Sequence, residues 1–339
     1  MTALITSDLH LTDASRDEYR WGLFPWIREQ IAKYNVDEVF VCGDLTDAKD
    51  RHSSLLVNRF VDEFSSLAKI AKVYLIRGNH DYISEQYPFF MFMRMLAGWS
   101  TENGLDFIRE PTKIKTKNGN VLMLPNTKNY EEEWSGISLA ACDYILCHQT
   151  FDGAKAENGQ ALNGIPPLFF KGFKGQVISG DVHVPQRISK NIEYVGAPYR
   201  VHFGDSFTPR VLLLRSGVAS DLYFPTRSRE LLECRTLRDV QRHNYPDGTQ
   251  VKVRASLRRS EYPEWPKLRR EIAALAKERD WDLCGGIELV ALKSKDRDVE
   301  REDAVSSRSP EDALAVYADA KKLSKDVRAA GVELLKEAQ

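Results

Sequence analysis

Five short apolar runs in this chain stop at, or a residue or two before, side chains able to hold a cation. Ala3–Thr6 leads into Ser7-Asp8-Leu9-His10, Glu38–Cys42 into Gly43-Asp44-Leu45-Thr46-Asp47, and Val73–Ile76 into Arg77-Gly78-Asn79-His80-Asp81. Tyr144–Cys147 ends at His148, and Val177–Ser179 leads into Gly180-Asp181-Val182-His183. Runs of this length bounded by turn residues read as strands, and open α/β sheets gather their sites at strand ends. Singly each motif is weak, because an Asp after a glycine is commonly a turn or helix-cap residue and a lone histidine is commonly structural. Five strand ends that each deliver Asp, Asn or His point jointly to a metal centre built from Asp8, His10, Asp44, Asn79, His148 and His183. The donors are oxygen and imidazole without thiolate, which favours Mn²⁺, Fe or Zn²⁺ over copper(I) or an iron–sulfur cluster.

Between the first runs, Tyr19–Tyr34 and Ser54–Lys69 carry apolar residues at helical spacing, the pattern of crossover helices covering a sheet. Asn118-Gly119 is a hairpin turn signal. After it, candidate strands at Val121–Leu124, Val177–Ser179, Ile192–Val195, Val211–Leu214 and Leu222–Phe224 give residues 1–225 an α/β first half and a β-rich second half. Val251–Arg254, Trp265–Lys277 and Ile287–Leu292 form a small α+β set, expected as a second domain over 226–293. A charged linker spans 294–308, and a helix over 309–339 opens at Pro310 with Ser309 as its N-cap.

The 48 Lys and Arg nearly balance the 49 Asp and Glu, so nucleic-acid affinity has to be local. The second domain offers a local surplus: Lys252, Arg254, Arg258, Arg259, Lys267, Arg269, Arg270, Lys277 and Arg279 face Glu261, Glu264, Glu271, Glu278 and Asp280. Tyr262, Trp265 and Trp281 lie among them, either stacking on bases or filling a small core. Five cysteines without a CxxC pair, no signal-like N-terminal stretch and no long apolar run lead to the expectation of a reducing cytoplasm and no membrane span.

The series D-x-H, G-D-x-x-D, G-N-H-D, H and G-x-x-H resembles the calcineurin-like metallophosphoesterase superfamily over residues 1 to about 215. Tyr194-Val195-Gly196-Ala197-Pro198-Tyr199-Arg200-Val201-His202-Phe203-Gly204-Asp205 looks like the post-motif segment of SbcD-type (Mre-type) DNA-repair nucleases. The resemblance implies a two-sheet α/β sandwich with a small α+β capping domain and a C-terminal helix. It implies two divalent ions, Mn²⁺ first and Mg²⁺, Fe²⁺ or Zn²⁺ as alternatives. Asp8, His10 and His183 would hold one ion, Asn79 and His148 the other, with Asp44 bridging. His80 matches the family's catalytic histidine, with Asp81 placed to orient it. DNA is the implied substrate, an SbcC-type SMC-like ATPase the implied partner at 309–339, and a homodimer a further candidate assembly.

Two positions depart from the pattern. Asp181 stands where the family usually has a histidine, adding an oxygen donor that favours a harder ion such as Mn²⁺. Asp47 stands where SbcD-type nucleases often have a histidine that handles the strand; His52 lies nearby, and Asp47, His52, Arg258 and Arg259 are the candidate substrate contacts. The expected function is a two-metal phosphodiesterase, a DNA exo- or endonuclease acting in repair, recombination or end processing. The alternative is a phosphomonoesterase or cyclic-nucleotide phosphodiesterase using the same centre on a small ester.

Overall fold

The computed structural model describes residues 2–84, 87–93, 104–116, 119–292 and 327–328. In chain order these residues form β1 (Thr2–Thr6), α1 (Glu18–Trp21), α2 (Leu23–Tyr34), β2 (Glu38–Cys42), α3 (Ser54–Ala68), β3 (Lys72–Ile76), β4 (Leu105–Ile108), β5 (Thr112–Thr116) and β6 (Gly119–Leu124). There follow α4 (Tyr130–Glu133), β7 (Tyr144–His148), β8 (Gln176–Gly180), β9 (Gln186–Ser189), β10 (Ile192–Tyr194), β11 (Val211–Arg215) and β12 (Val218–Leu222). The last elements are β13 (Arg229–Cys234), α5 (Leu237–Gln241), β14 (Gln250–Leu257), α6 (Trp265–Glu278) and β15 (Ile287–Ala291).

Two six-stranded mixed sheets make the α/β sandwich that the sequence leads one to expect. One has the order β12-β11-β1-β2-β3-β4, the other β5-β6-β7-β8-β10-β9. Strands β1 to β4 are parallel, as are β6, β7, β8 and β10. The period-two alternation of side chains divides the buried residues among three layers. Leu4, Val39, Val41, Val73 and Leu75 pack on Phe24 and Ile27 of α2 and on Phe60 and Phe64 of α3. Their neighbours Ala3, Ile5, Phe40, Cys42 and Ile76 face the other way and meet Val121, Met123, Leu146 and Ile178 of the second sheet. Leu122, Leu124, Ile145, Cys147 and Val177 then pack on Trp134, Phe151 and Phe170. Each fully buried Leu, Ile or Phe contributes about 1.5–3 kcal/mol, so two-sided burial fixes the register of the strands that end at the site.

The helix expected over Tyr19–Tyr34 is two helices that part at Gly22. Pro25 has no N–H to give to the carbonyl of Trp21, so a continuous helix would lose that bond, whereas in the first turn of α2 the N–H is not needed. The strand expected at Leu222–Phe224 is instead β12, which hairpins back on β11 through Ser216-Gly217, both with positive φ (50° and 81°). Such a two-residue turn matches the twist of the strands it joins. Asn118 lies outside the described residues; on either side of it β5 and β6 pair antiparallel with Thr116 opposite Gly119. The expected linker 294–308 and helix 309–339 also lie outside them, apart from 327–328.

Among the described residues, 2–232, 243–253 and 273–286 form one compact unit, which contains both six-stranded sheets, and 233–242, 254–272 and 287–292 belong to a second. Strands β13, β14 and β15 form a three-stranded sheet in that order. In the second unit Arg254 pairs with Glu288 at 3.2 Å, and Arg258 and Arg259 are exposed.

Candidate metal centre

The ends of β1, β2, β3, β7 and β8 bring their side chains to one place. Asp8, His10, Asp44 and Asp181 all sit in the left-handed backbone region, with φ of 55°, 42°, 53° and 82°. Outside glycine, Asn, Asp and His enter this region several-fold more often than other residues, at a cost on the order of 1–2 kcal/mol each. Strain concentrated on four candidate ligands marks a constellation held by its surroundings. Gly43, at φ 87°, lets two loops close on it: a Cβ there would lie 2.2 Å from Nδ1 of His148 and 2.8 Å from Cα of Gly78.

Ligand atoms of Asp8, His10 and His183 lie within 4.8 Å of one another, as do those of Asp8, Asp44 and His148. Nε2 of His10 faces Nε2 of His183 at 3.1 Å. Oδ2 of Asp8 is buried with no hydrogen-bond donor among the described residues, while Oδ1 accepts from the backbone N–H of Asp181 at 3.2 Å. On the other side, Asn79 turns its amide oxygen toward Nε2 of His148 at 3.0 Å and toward both carboxylate oxygens of Asp44, at 2.9 and 3.0 Å. Turning the amide over would let its nitrogen donate to Asp44 and His148; oxygen and nitrogen lone pairs converging with few protons among them are what a cation satisfies. The site therefore fits divalent cations by an orphaned buried carboxylate oxygen and by a donor set of oxygen and imidazole.

Behind the donors, each histidine has an oxygen close to its other nitrogen. His148 Nδ1 donates to the carbonyl of Cys42 at 2.5 Å, leaving Nε2 toward Asp44 (3.2 Å) and Asp181 (3.7 Å). His10 Nδ1 lies 3.4 Å from Oδ1 of Asp47, and His183 Nδ1 lies 3.3 Å from Oε1 of Glu157. Such outer partners fix the tautomer and raise ligand basicity. The imidazoles act back on the carboxylates: the neighbouring His10 ring draws Asp47 down to about 2, and the His183 ring draws Glu157 down to about 2. Burial pulls the His183 imidazole down, but Glu157 and Asp8 outweigh it and push the ring up to about 9. Burial likewise opposes ionisation of Asp44, yet His148 and His10 hold it well below the usual carboxylate range.

His80 sits at the rim, partly exposed. Its backbone N–H donates to Oδ1 of Asp44 at 2.8 Å and its Nδ1 donates to the carbonyl of Asp47 at 2.9 Å, leaving Nε2 free of this contact. The orienting group for His80 is thus the carbonyl of Asp47, not the side chain of Asp81. The fully buried Asp81 carboxylate accepts from the backbone N–H groups of Gly78 (2.7 Å), Leu45 (2.8 Å) and Asp44 (3.0 Å), tying the second and third strand-end loops together. Oδ2 of Asp181 accepts from the Thr150 hydroxyl.

The candidate substrate contacts are dispersed. Asp47 backs His10 as above. His52 donates from Nε2 to the Thr46 hydroxyl at 2.7 Å and stacks on Phe89 with ring centres 3.9 Å apart, so it joins the aromatic packing that includes Phe90 and Phe60. Trp281 is buried against Tyr245, filling core. Glu157, Thr150 and the exposed His202, whose ring stacks on that of His183 at 5.6 Å, were not foreseen. Glu157 and Thr150 lie on loops where the available cue was a polar residue among many, and His202 was marked only as a member of the 194–205 segment. The 194–205 segment supports the site from behind: the Tyr199 hydroxyl donates to the Leu9 carbonyl, and Asp205 accepts from the N–H groups of Val201 and His202 at 2.9 and 2.8 Å.

A family profile described as Calcineurin-like phosphoesterase matches residues 1–185. A protein of Invertebrate iridescent virus 6, provisionally named phosphoesterase 244L, is 26% identical over 223 residues, 61% of this chain and 73% of its own. One of Invertebrate iridescent virus 3, provisionally named phosphoesterase 078R, is 27% identical over 181 residues; the match spans half of each protein. Among solved structures, an archaeal phosphodiesterase aligns with 66% of this chain and 100% of its own at 13% identity and a TM-score of 0.37. No helix among the described residues is long and apolar enough to cross a membrane.

Proposed function

This chain belongs to the calcineurin-like phosphoesterase family, and from that premise we propose that it hydrolyses phosphodiesters, with a nucleic-acid strand as substrate. The observation that carries the reading is His80: its Nδ1 proton is committed to the Asp47 carbonyl while its backbone is bonded to Asp44. A histidine so fixed beside the ligand set presents Nε2 to an ester oxygen and would protonate the departing alkoxide, a contribution typically of about 10²–10⁴-fold. A purely structural metal site has no use for it.

When bound, two divalent cations would supply the Lewis acidity that activates water and neutralises developing charge. Asp8, His10 and His183 would hold one, Asn79, His148 and Asp181 the other, with Asp44 shared between them. The second oxygen-rich set favours Mn²⁺. Support for a polymer over a small ester comes from the Gly196–Asp205 segment and from the basic residues around Arg258 and Arg259. The finer form of the reading is a cytoplasmic SbcD-type DNA-repair nuclease whose 309–339 segment docks an SMC-like ATPase.

The test is Mn²⁺-dependent digestion of linear duplex, single-stranded and circular DNA beside bis(4-nitrophenyl) phosphate, with His80→Ala assayed in parallel. DNA cleavage that falls at least about 100-fold in His80→Ala, with metal retained, is expected. Hydrolysis of the small ester alone would move the assignment to a small-ester phosphoesterase, and a fully active His80→Ala would remove its catalytic role.

A further inference from the structure

A cavity of about 500 Å³ opens beside the metal centre, with Asn79 and Asp181 in its wall. Its floor is a closed hydrogen-bond network. The Tyr82 hydroxyl donates to Oδ1 of Asn126 at 3.0 Å, Nδ2 of Asn126 donates to Oε1 of Gln149 at 3.0 Å, and Nε2 of Gln149 donates to the Thr127 carbonyl at 2.9 Å. Groups bonded to one another in this way fix the shape of the cleft and leave little polarity to offer a ligand. The free polarity is at the rim, where Lys49 and Lys128 are both exposed and neither is paired with a carboxylate among the described residues. Ile83, 59% exposed, adds an apolar surface to the same wall.

The charge around the centre is therefore uneven. Carboxylates of Asp47 and Glu157 stand behind His10 and His183, whereas two lysines flank the cleft that Asn79 and Asp181 open onto. An anionic chain leaving the metals meets like charge in the first direction and opposite charge in the second.

We propose that this cleft is a subsite for a second phosphate of a substrate whose first phosphate lies at the metals, and that Lys49 and Lys128 bind it. This rests on the phosphodiesterase reading and narrows it to substrates carrying at least two phosphates. The shared chemistry has two sources, the neighbouring phosphate of a nucleic-acid strand and the polyphosphate of a nucleotide.

Equilibrium anisotropy of the full chain carrying His80→Ala, which keeps the metals and loses turnover, tests this with fluorescein-labelled TpT, TpTpT and thymidine triphosphate, in Mn²⁺ and again in chelator. With both lysines in place, TpTpT is expected to bind about tenfold more tightly than TpT, the gain from two exposed cation–phosphate contacts. In Lys49→Gln/Lys128→Gln that gain disappears, with the circular dichroism spectrum and melting temperature retained. A lysine-dependent gain for the triphosphate instead of TpTpT assigns the subsite to nucleotides. A double variant that keeps the full gain for both overturns the proposal. Binding is read without turnover: a chain that shows the lysine-dependent gain yet, with His80 in place, cleaves no diester sinks the phosphodiesterase reading and leaves the subsite standing.

Discussion

The two halves of the metal centre are backed by different kinds of group. His148 is anchored by the main-chain carbonyl of Cys42, at the buried end of β2, and Asp181 by the Thr150 hydroxyl. His10 and His183 instead face the side-chain carboxylates of Asp47 and Glu157, both on loops, at 3.4 and 3.3 Å. The anchor of His148 is written into the backbone of the sandwich, where nothing short of moving a strand changes it. The other half can be retuned by a single substitution without touching the core. Glu157 also raises the basicity of the His183 imidazole, so this half gains affinity in part through a charge that one substitution can remove.

Breaking the main-chain half should have the largest effect. Gly43→Ala puts a methyl group 2.2 Å from Nδ1 of His148 at a φ of 87°, so ring and loop must both move. A loss of about 2–6 kcal/mol in unfolding free energy is expected from left-handed strain and overpacking together, along with loss of metal at His148. Thermal unfolding with and without Mn²⁺ measures it. A variant that melts like wild type and binds two ions would mean that the backbone does not set this half.

The carboxylate half should fail differently. Glu157→Gln keeps the shape of the side chain and removes its charge 3.3 Å from His183. Mn²⁺ affinity at one of two sites should fall about 10–100-fold, as read by titration calorimetry, while unfolding of the metal-free chain stays within about 1 kcal/mol of wild type. Weakening of both ions equally would show that the two halves are not separable.

The same contrast explains what could be read from the sequence. Every donor of the centre sits at the end of a strand buried on two faces, so the apolar run announces its position, and Gly43, Gly78 and Gly180 mark where the chain turns. Glu157 and Thr150 reach the centre only because a loop closes on it in three dimensions, and loop closure leaves no periodicity. Edge strands were lost for a related reason. β5 reads Thr-Lys-Ile-Lys-Thr and β9 Gln-Arg-Ile-Ser; each has a single apolar residue, because an edge strand needs only one ladder and little burial. Asp47 was legible as a residue near the site, but as a replacement for a strand-handling histidine, not as the partner of His10.

Asp47 supplies the smallest and sharpest test, because its carboxylate faces a histidine as that of Glu157 does but is more exposed. Its side chain is 55% exposed against 31% for Glu157, at nearly the same distance from its histidine, 3.4 against 3.3 Å. Solvent screens an exposed charge, so Asp47→Asn should weaken Mn²⁺ binding by only about threefold, well short of Glu157→Gln. The substitution leaves the backbone carbonyl that holds His80 in place, so turnover at saturating Mn²⁺ should stay within about twofold of wild type. Calorimetry and saturating-metal kinetics on the two variants side by side separate the cases. If Asp47→Asn costs as much affinity as Glu157→Gln, burial is not what grades the carboxylates. If it lowers saturated turnover as His80→Ala does, the Asp47 side chain itself acts on the substrate.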